Sequence, residues 1–194
     1  MIISTWNIRG LNKAHKQKKV KVFLAKHKVD LFACLETRVK QNRADRILKK
    51  IVKGWKYCYN YVEVVNGRIW LMWKGHLQLT VIEIKEQFMH CMVEDNKYKL
   101  FVTIVYARNE VKKKEVLWEQ LSQLTIARNL PWIICGDFNS VLGVEDRLGS
   151  PVTQHEVQGF KNAMEILQMT LIKSVGRHFT WCNNQDDARK VYNK

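Results

Sequence analysis

The sequence of 194 residues is poor in several features that would each indicate a particular class of protein. It has only two prolines and no low-complexity tract, which argues against a linker or a disordered chain. Its longest apolar runs are far shorter than the roughly 18 residues that a membrane-spanning helix needs. The N-terminus also lacks the basic start and apolar block of a signal peptide. We therefore expect a single intracellular domain over residues 1–194 with no membrane partner.

Paired cysteines are also lacking, since the five cysteines are scattered along the chain and none forms a CxxC spacing. Most of them lie inside apolar runs of the kind that form strands. A disulfide framework or a zinc site needs paired spacings, so the pattern predicts thiols buried in a core. They are Cys34, Cys58, Cys91, Cys135 and Cys182.

Acidic residues are scarce as well, with 18 Asp and Glu against 33 Lys and Arg and a formal net charge of +15. A surface of this charge favours a polyanion such as nucleic acid, because each neutralised phosphate releases counterions. The runs "NKAHKQKKVK" and "VKKK" concentrate the charge. A solubilising surface would give the same totals, so charge alone leaves both interpretations open.

The order of the predicted elements alternates between helices and strands. Helical spacing of apolar residues predicts helices over about 14–28, the segment before Gly54, about 110–128 and the segment after Ser150. In the last of these, Thr153 and Glu156 match a capping box. The β-rich middle of the chain has a predicted hairpin turn at Asp95 and Asn96. Short strands are also predicted in "LIKSV" and "HFTWCN". Many antiparallel pairs predict an α+β fold with two packed sheets and helices outside.

Several predicted strands end in a residue that can do chemistry. Asn7 ends the first strand, Glu36 follows "LFACL", Tyr106 ends "LFVTIVY", and Asp137 and Asn139 end "WIICGDFN". Each of them alone is more simply explained as a turn, surface or packing residue. Strand ends converge at sheet edges, however, so side chains from distant parts of the sequence can meet there. We therefore predict one site built from all five residues.

The chemistry of this set is that of metal-assisted phosphodiester cleavage. Glu36 and Asn7 offer the oxygen ligands that Mg²⁺ accepts, and Mn²⁺ can replace it. Asp137 can orient or deprotonate a water, Asn139 can hold that water, and Tyr106 can donate to a phosphate oxygen. The basic residues Arg9, Lys13 and Arg38 lie close to these strand ends in the sequence, and we assign them to nucleic-acid contact.

Five motifs in order resemble the endonuclease/exonuclease/phosphatase superfamily, and within it the apurinic-type endonuclease domain of plant non-LTR retrotransposons. They are "STWNIRGLN", "LFACLETR", "VTIVYA", "WIICGDFN" and "GRHFTWCN". The resemblance implies a four-layer αββα sandwich of the DNase-I type, Mg²⁺ dependence and the nicking of target DNA to prime reverse transcription. It also implies that Thr180 supports the phosphate site. A monomer in the nucleus, originally fused to a reverse transcriptase, is the implied setting.

One part of the family pattern is missing from the sequence. Members close the site with an Asp after the FTW strand and a C-terminal Ser-Asp-His, and no Asp-His dipeptide occurs in this chain. Asp186 and Asp187 lie in an apparent loop, and His178 should share the strand face of Thr180, so we do not expect these residues to replace the missing ones. We expect the final strands to be lacking, with the chain a fragment of a longer polyprotein or a degenerate copy of low activity. The alternatives are an inactive nucleic-acid-binding relic and, less favoured, a phosphoinositide-type phosphatase.

Overall fold

The computed structural model of the chain describes residues 1–124, 130–173, 175–176, 178–183, 185 and 190–193. The helices within these ranges are α1 (Ala14–Lys26), α2 (Gln41–Ile51), α3 (Val111–Ser122) and α4 (Gln154–Ile166). The strands are β1 (Ile3–Asn7), β2 (Leu31–Leu35), β3 (Lys56–Tyr59), β4 (Ile69–Trp73), β5 (Gln78–Ile84), β6 (Phe88–Glu94), β7 (Lys99–Tyr106), β8 (Trp132–Asp137), β9 (Arg147–Leu148), β10 (Trp181–Cys182) and β11 (Tyr192–Asn193).

The described residues divide into two compact units. The first contains Met1–Ala107 and β8, and the second contains α3, α4 and the three short strands β9, β10 and β11. None of the helices in the described part of the chain has the length and apolar character that a bilayer crossing requires.

Two four-stranded sheets form the first unit. One has the strand order β1-β2-β4-β3 and the other the order β5-β6-β7-β8. Most neighbouring strands are antiparallel, as predicted, but β1 pairs with β2 and β7 pairs with β8 in parallel. The carboxyl ends of each parallel pair therefore lie at the same edge of their sheet.

Strand β2 shows how the sequence places the core of the first unit. All five of its residues are buried, because both of its faces are covered. Phe32 and Cys34 pack against the helices α1 and α2, whereas Leu31, Ala33 and Leu35 pack against the second sheet. Strand β4 alternates in the same way. This unit therefore has a helical layer, a sheet buried on both faces and a second sheet.

Polar residues inside the second sheet are paired with one another. The ring of His90 is fully buried, and its Nδ1 lies 2.8 Å from Thr103 Oγ1. The indole of Trp132 donates to the same hydroxyl at 2.8 Å. Burial lowers the pKa of His90, so the neutral ring is favoured. His90 is therefore part of the packing of the second sheet.

The second unit is held together by aromatic stacking between its two helices. Trp118 of α3 stacks on Phe160 of α4 with ring centroids 5.1 Å apart, and Phe138 lies 5.0 Å from Phe160. The predicted capping box at the start of α4 is present, since the Thr153 and Glu156 side chains each bond the backbone N–H of the other. The apolar side chains whose spacing predicted α3 and α4 are therefore largely buried where the two helices face each other.

Several predictions of local structure were wrong. Residues 171–173 of "LIKSV" form no strand, and β10 occupies only two residues of "HFTWCN". Strand β3 was not predicted. His27 and Val116 also fall at the helical spacing of the apolar residues around them, which predicts burial, but His27 is exposed and Val116 is 44% exposed. The end of the third predicted helix, residues 125–128, lies outside the described residues.

Candidate active site

The parallel strand pairs bring the predicted polar residues of the first unit to one edge. Asn7 is the register partner of Leu35, so it lies beside the backbone that leads into Glu36. Tyr106 is the register partner of Asp137. The parallel register thus sets the polar residues that end or follow these strands side by side.

A hydrogen bond joins the two sheets at this edge. The Nδ2 of Asn7, which ends β1, donates to Oδ2 of Asp137, which ends β8, at 2.7 Å. The Oδ1 of Asn7 in turn accepts from the backbone N–H of Arg9 at 3.1 Å. The Asp137 carboxylate is therefore held in one orientation by an amide that is itself held by the next turn of the chain.

Glu36 occupies a constrained backbone position just past β2. Its φ is +54°, in the left-handed region that residues with a Cβ rarely adopt. The backbone N–H of Glu36 donates to Arg68 O at 2.7 Å, and its carbonyl accepts from Gly10 N at 2.7 Å. Non-glycine residues in this region cluster at functional sites, where the surroundings over-determine the conformation. The backbone thus directs the Glu36 side chain towards the strand-end edge, by which we mean the edge of the two sheets where Asn7, Tyr106 and Asp137 lie.

The Glu36 carboxylate forms an ion pair with the guanidinium of Arg38. The Glu36 side chain is only 12% exposed, whereas that of Arg38 is 69% exposed. Arg38, like Glu36, has a positive φ, of +51°. The cation paired with Glu36, the predicted metal ligand, is therefore carried by a long side chain that lies mostly in solvent.

Tyr106 is buried between the charged groups of the edge. Burial raises the pKa of its hydroxyl, and the carboxylates of Glu36 and Asp137 raise it further, against the opposing effect of the nearby arginines. A tyrosine with a raised pKa stays protonated at neutral pH. Tyr106 is therefore suited to donate a hydrogen bond to an anion and unsuited to act as a base.

Arg68 belongs to this edge although the sequence did not single it out. Its guanidinium carbon lies 5.4 Å from the centre of the Tyr106 ring. Arg68 directly precedes β4, whose first residue, Ile69, is the register partner of Leu35. In the sequence, Arg68 is only an arginine at the start of a strand. It can be assigned to the site once the antiparallel pairing of that strand with β2 is known.

The remaining predicted site residues are placed as follows. Arg9 and Lys13 are exposed in the turn between β1 and α1, where Lys13 is the N-cap of the helix. Asn139 belongs to the second unit, has a φ of +46° and accepts a hydrogen bond from Lys114 Nζ at its carbonyl. Thr180, also in the second unit, is exposed just before β10. The structure thus brings together Asn7, Glu36, Tyr106 and Asp137.

The residues considered as replacements for the missing family residues lie in the second unit or outside the described residues. Asp186 and Asp187 lie outside the described residues. The imidazole Nε2 of His178 lies 3.7 Å from Oδ1 of Asp146, within the second unit. Among the described residues, no three side chains of His, Cys, Asp or Glu form a cluster that would enclose a metal ion by themselves.

The donor set of the strand-end edge nevertheless fits Mg²⁺ better than a transition metal. It contains the carboxylates of Glu36 and Asp137 and the amide oxygen of Asn7, with no sulfur or imidazole. Mg²⁺ typically uses one or two carboxylates and completes its shell with waters and substrate phosphate. A closed protein cage of three ligands is therefore not needed, and Glu36 is the residue suited to direct ligation.

Comparisons with known proteins concern the family and the fold of the chain. The model of the Endonuclease/Exonuclease/phosphatase family matches residues 4–151. The chain is similar in structure to the endonuclease domain of TRAS1, a telomere-specific non-LTR retrotransposon, with a TM-score of 0.76 at 9% identity over 99% of this chain and 81% of that chain. No curated protein sequence matches significantly.

Two apurinic-type nucleases have related structures. An AP endonuclease from Archaeoglobus fulgidus superimposes with a TM-score of 0.64 at 15% identity, over 86% of this chain and 71% of that chain. The AP endonuclease LMAP from Leishmania major gives 0.63 at 14% identity, over 85% and 66%. Such low identities establish the fold alone. The predicted α+β, DNase-I-like fold is confirmed.

Proposed function

The chain belongs to the endonuclease/exonuclease/phosphatase family, and from this membership we propose that it is a Mg²⁺-dependent domain that cleaves phosphodiester bonds in DNA. The observation that carries the proposal is the Asn7 to Asp137 hydrogen bond, which fixes a carboxylate beside Glu36 and Tyr106 at the edge of both sheets. Hydrolysis needs a metal ligand, a base and a hydrogen-bond donor to the phosphate, and residues suited to these three roles then lie at one edge.

The chemistry assigns one role to each residue. Asp137 accepts a proton from a water whose oxygen attacks phosphorus, and the bond between phosphorus and the 3′-oxygen breaks. The leaving 3′-oxygen takes a proton from solvent, which leaves a 3′-hydroxyl and a 5′-phosphate. Asn7 keeps the Asp137 carboxylate oriented. The Tyr106 hydroxyl donates to a phosphate oxygen, and Arg68 balances the charge of the phosphate. Glu36 with Asn7 beside it would hold Mg²⁺, which supplies charge stabilisation for the phosphorane and the leaving oxygen.

The setting of the proposed activity is a retroelement. The five motifs of the sequence and the likeness to the TRAS1 endonuclease domain support target-DNA nicking that primes reverse transcription. On this proposal the domain acts in the nucleus, as a monomer, next to a reverse transcriptase. The net charge of +15 supports DNA as the substrate, because a duplex carries a phosphate about every 1.7 Å of its axis.

The test is relaxation of supercoiled plasmid by the purified 194-residue chain. We expect conversion to open circle with Mg²⁺ and none with EDTA. Glu36→Gln, purified in the same way, keeps the shape of the side chain but loses its charge, so it reports any contaminating nuclease and should not nick. DNA that is bound but never cut under any metal condition would overturn the proposal in favour of the nucleic-acid-binding relic. Phosphate release from a soluble inositol phosphate would instead indicate the phosphatase.

The Glu36 to Arg38 ion pair leads to a prediction about metal affinity. The Arg38 guanidinium is paired with the Glu36 carboxylate, which we assign to Mg²⁺, so the two cations compete for it. Arg38→Gln should therefore strengthen metal binding. An exposed ion pair contributes up to about 1 kcal/mol, so the concentration of Mn²⁺ at half-saturation should fall by roughly two- to fivefold. Titration of Mn²⁺ without DNA measures this directly. Arg43→Gln on α2 is the control, and an unchanged or raised half-saturation for Arg38→Gln would contradict the assignment.

A further inference from the structure

The helical layer of the first unit exposes a surface that is almost entirely basic. Residues 12–53 contain 14 of the 33 basic residues and only three acids. We call the exposed basic residues of α1, α2 and the turns after them the basic helical face. Its members are Lys18, Lys19, Lys21, Lys26, Lys28, Arg43, Arg46, Lys49, Lys50 and Lys53. α1 and α2 pack side by side, so their outward residues share one side of the unit.

The three acids of this segment do not neutralise that face. Asp30 pairs with Lys74, and Glu36 pairs with Arg38. Burial and the carboxylate of Asp45, the one acid within the two helices, raise the pKa of Tyr57 and Tyr59 on the neighbouring strand β3, so Asp45 lies on the side of α2 that faces this strand. Within the described part of the chain, no ion pair links a member of the basic helical face to a carboxylate. The face therefore keeps its charge in the folded state.

The basic helical face lies on a different side of the unit from the strand-end site. The helices cover the face of the first sheet that points away from the second sheet. The proposed active site is at the carboxyl edge of both sheets, which is perpendicular to that face. If a duplex is held at that edge by Glu36 and Asp137, as the proposed function requires, the outer side of α1 and α2 is left to another segment.

We propose that the basic helical face is a second nucleic-acid-binding surface, which holds the phosphate backbone of a segment other than the one at the strand-end site. The 13 residues of α1 extend about 20 Å. A duplex of that length carries about 12 phosphates, so it matches the ten basic side chains of the face in both length and charge.

The chemistry of the helices favours a phosphate polymer over a membrane surface. Helices that lie on a bilayer insert bulky apolar side chains from the side that faces the lipid. Here Val20, Phe23 and Leu24 of α1 are turned into the core, and the exposed side carries only Val22 as a larger apolar residue. Nothing on this face offers an apolar anchor, whereas its lysines suit contacts to phosphates without reading bases.

The experiment compares two variants with the same change in charge. The helical-face variant carries glutamine at four exposed lysines: Lys18, Lys19, Lys26 and Lys49. The control variant carries glutamine at four exposed lysines on other elements: Lys97, Lys112, Lys161 and Lys173. Lysine and glutamine have similar helix propensities, so both variants should fold, which circular dichroism and thermal unfolding check.

Binding is measured in EDTA, so that cleavage plays no part in the result. The probe is a labelled DNA duplex of roughly 12 base pairs, about 40 Å long, titrated to saturation at low salt. The unaltered chain and the control variant should each bind two duplexes, and the helical-face variant should bind one. Binding of the second duplex should weaken with salt with a logarithmic slope of about −4 or steeper, since four or more phosphates are neutralised. An RNA duplex of equal length shows which nucleic acid the face prefers.

Each outcome bears on the proposal separately from the proposed nuclease function. An equal loss of duplex binding in the two variants would show that binding follows net charge alone, and this result would overturn the proposal. Saturation of the unaltered chain at a single duplex that the helical-face variant still binds would also overturn the proposal. If the unaltered chain and the control variant bind one duplex and the helical-face variant binds none, the result would support DNA binding by the basic helical face. It would also contradict DNA binding at the strand-end site.

Discussion

Asp137→Asn is expected to lower the rate of plasmid nicking by about 10²- to 10⁴-fold, the range that a positioned general base contributes. Asparagine has nearly the same shape, and its amide oxygen can still accept the 2.7 Å hydrogen bond from Asn7. The substitution removes only the ability to take a proton from water and one negative charge. A loss of this size with the fold intact would therefore identify a chemical role for the Asp137 carboxylate.

The matched control is Asp95→Asn in the hairpin turn between β6 and β7. Asp95 Oδ1 accepts from the backbone N–H groups of Lys97 and Tyr98 at 2.8 Å each, and asparagine retains that acceptor. Nicking by this variant should stay within about twofold of the unaltered chain. Initial rates on supercoiled plasmid, with Mg²⁺ in excess, give both numbers. If Asp137→Asn kept more than about a tenth of the activity, a proton-accepting role for Asp137 would be excluded.

Gly136→Ala should cost about 2–4 kcal/mol of folding free energy and remove nicking as well. Gly136 has a φ of +144°, and a Cβ there would collide with the backbone oxygen of Val105 on the adjacent strand β7. Backbone atoms cannot move aside as the end of a flexible side chain can. Because Asp137 is the next residue, any shift that relieves the collision also displaces the proposed base.

Urea unfolding followed by tryptophan fluorescence measures the change in stability. Gly75→Ala is the control, because Gly75 has no positive φ and no atom within 4 Å of an added Cβ. Its folding free energy should change by no more than about 0.5 kcal/mol. An equal, small effect of both substitutions would show that β7 and β8 can separate without cost, contrary to the close approach that the structure describes.

The strand ends were predictable because the apolar signal along these segments is strong and is interrupted abruptly. Residues such as Leu31–Leu35 are apolar without alternation, since both faces of β2 are buried, and the first polar residue after them marks the edge of the sheet. The same reasoning located Tyr106 and Asp137. In β8, the glycine before the aspartate allows the strand to approach its neighbour closely at that point.

Short or amphipathic segments were predicted less well, because local pattern does not decide their structure. "LIKSV" has strand-forming residues, but Leu171 and Ile172 are exposed and no strand is present at residues 171–173. Strand β3 has alternating aromatic residues that could equally suit a loop, and it becomes a strand by pairing with β4. In both cases the presence or absence of a neighbouring strand outweighs the intrinsic preference.

The sequence by itself determined the family, most of the order of the elements and the identity of the residues at the ends of the strands. These properties depend on local patterning and on motifs that are contiguous in the chain. The tertiary structure alone decided which of those residues meet. It joined Asn7 to Asp137 across 130 positions and brought Arg68 to Tyr106. These contacts depend on strand pairing and sheet packing, which bring distant residues together and which no local pattern specifies.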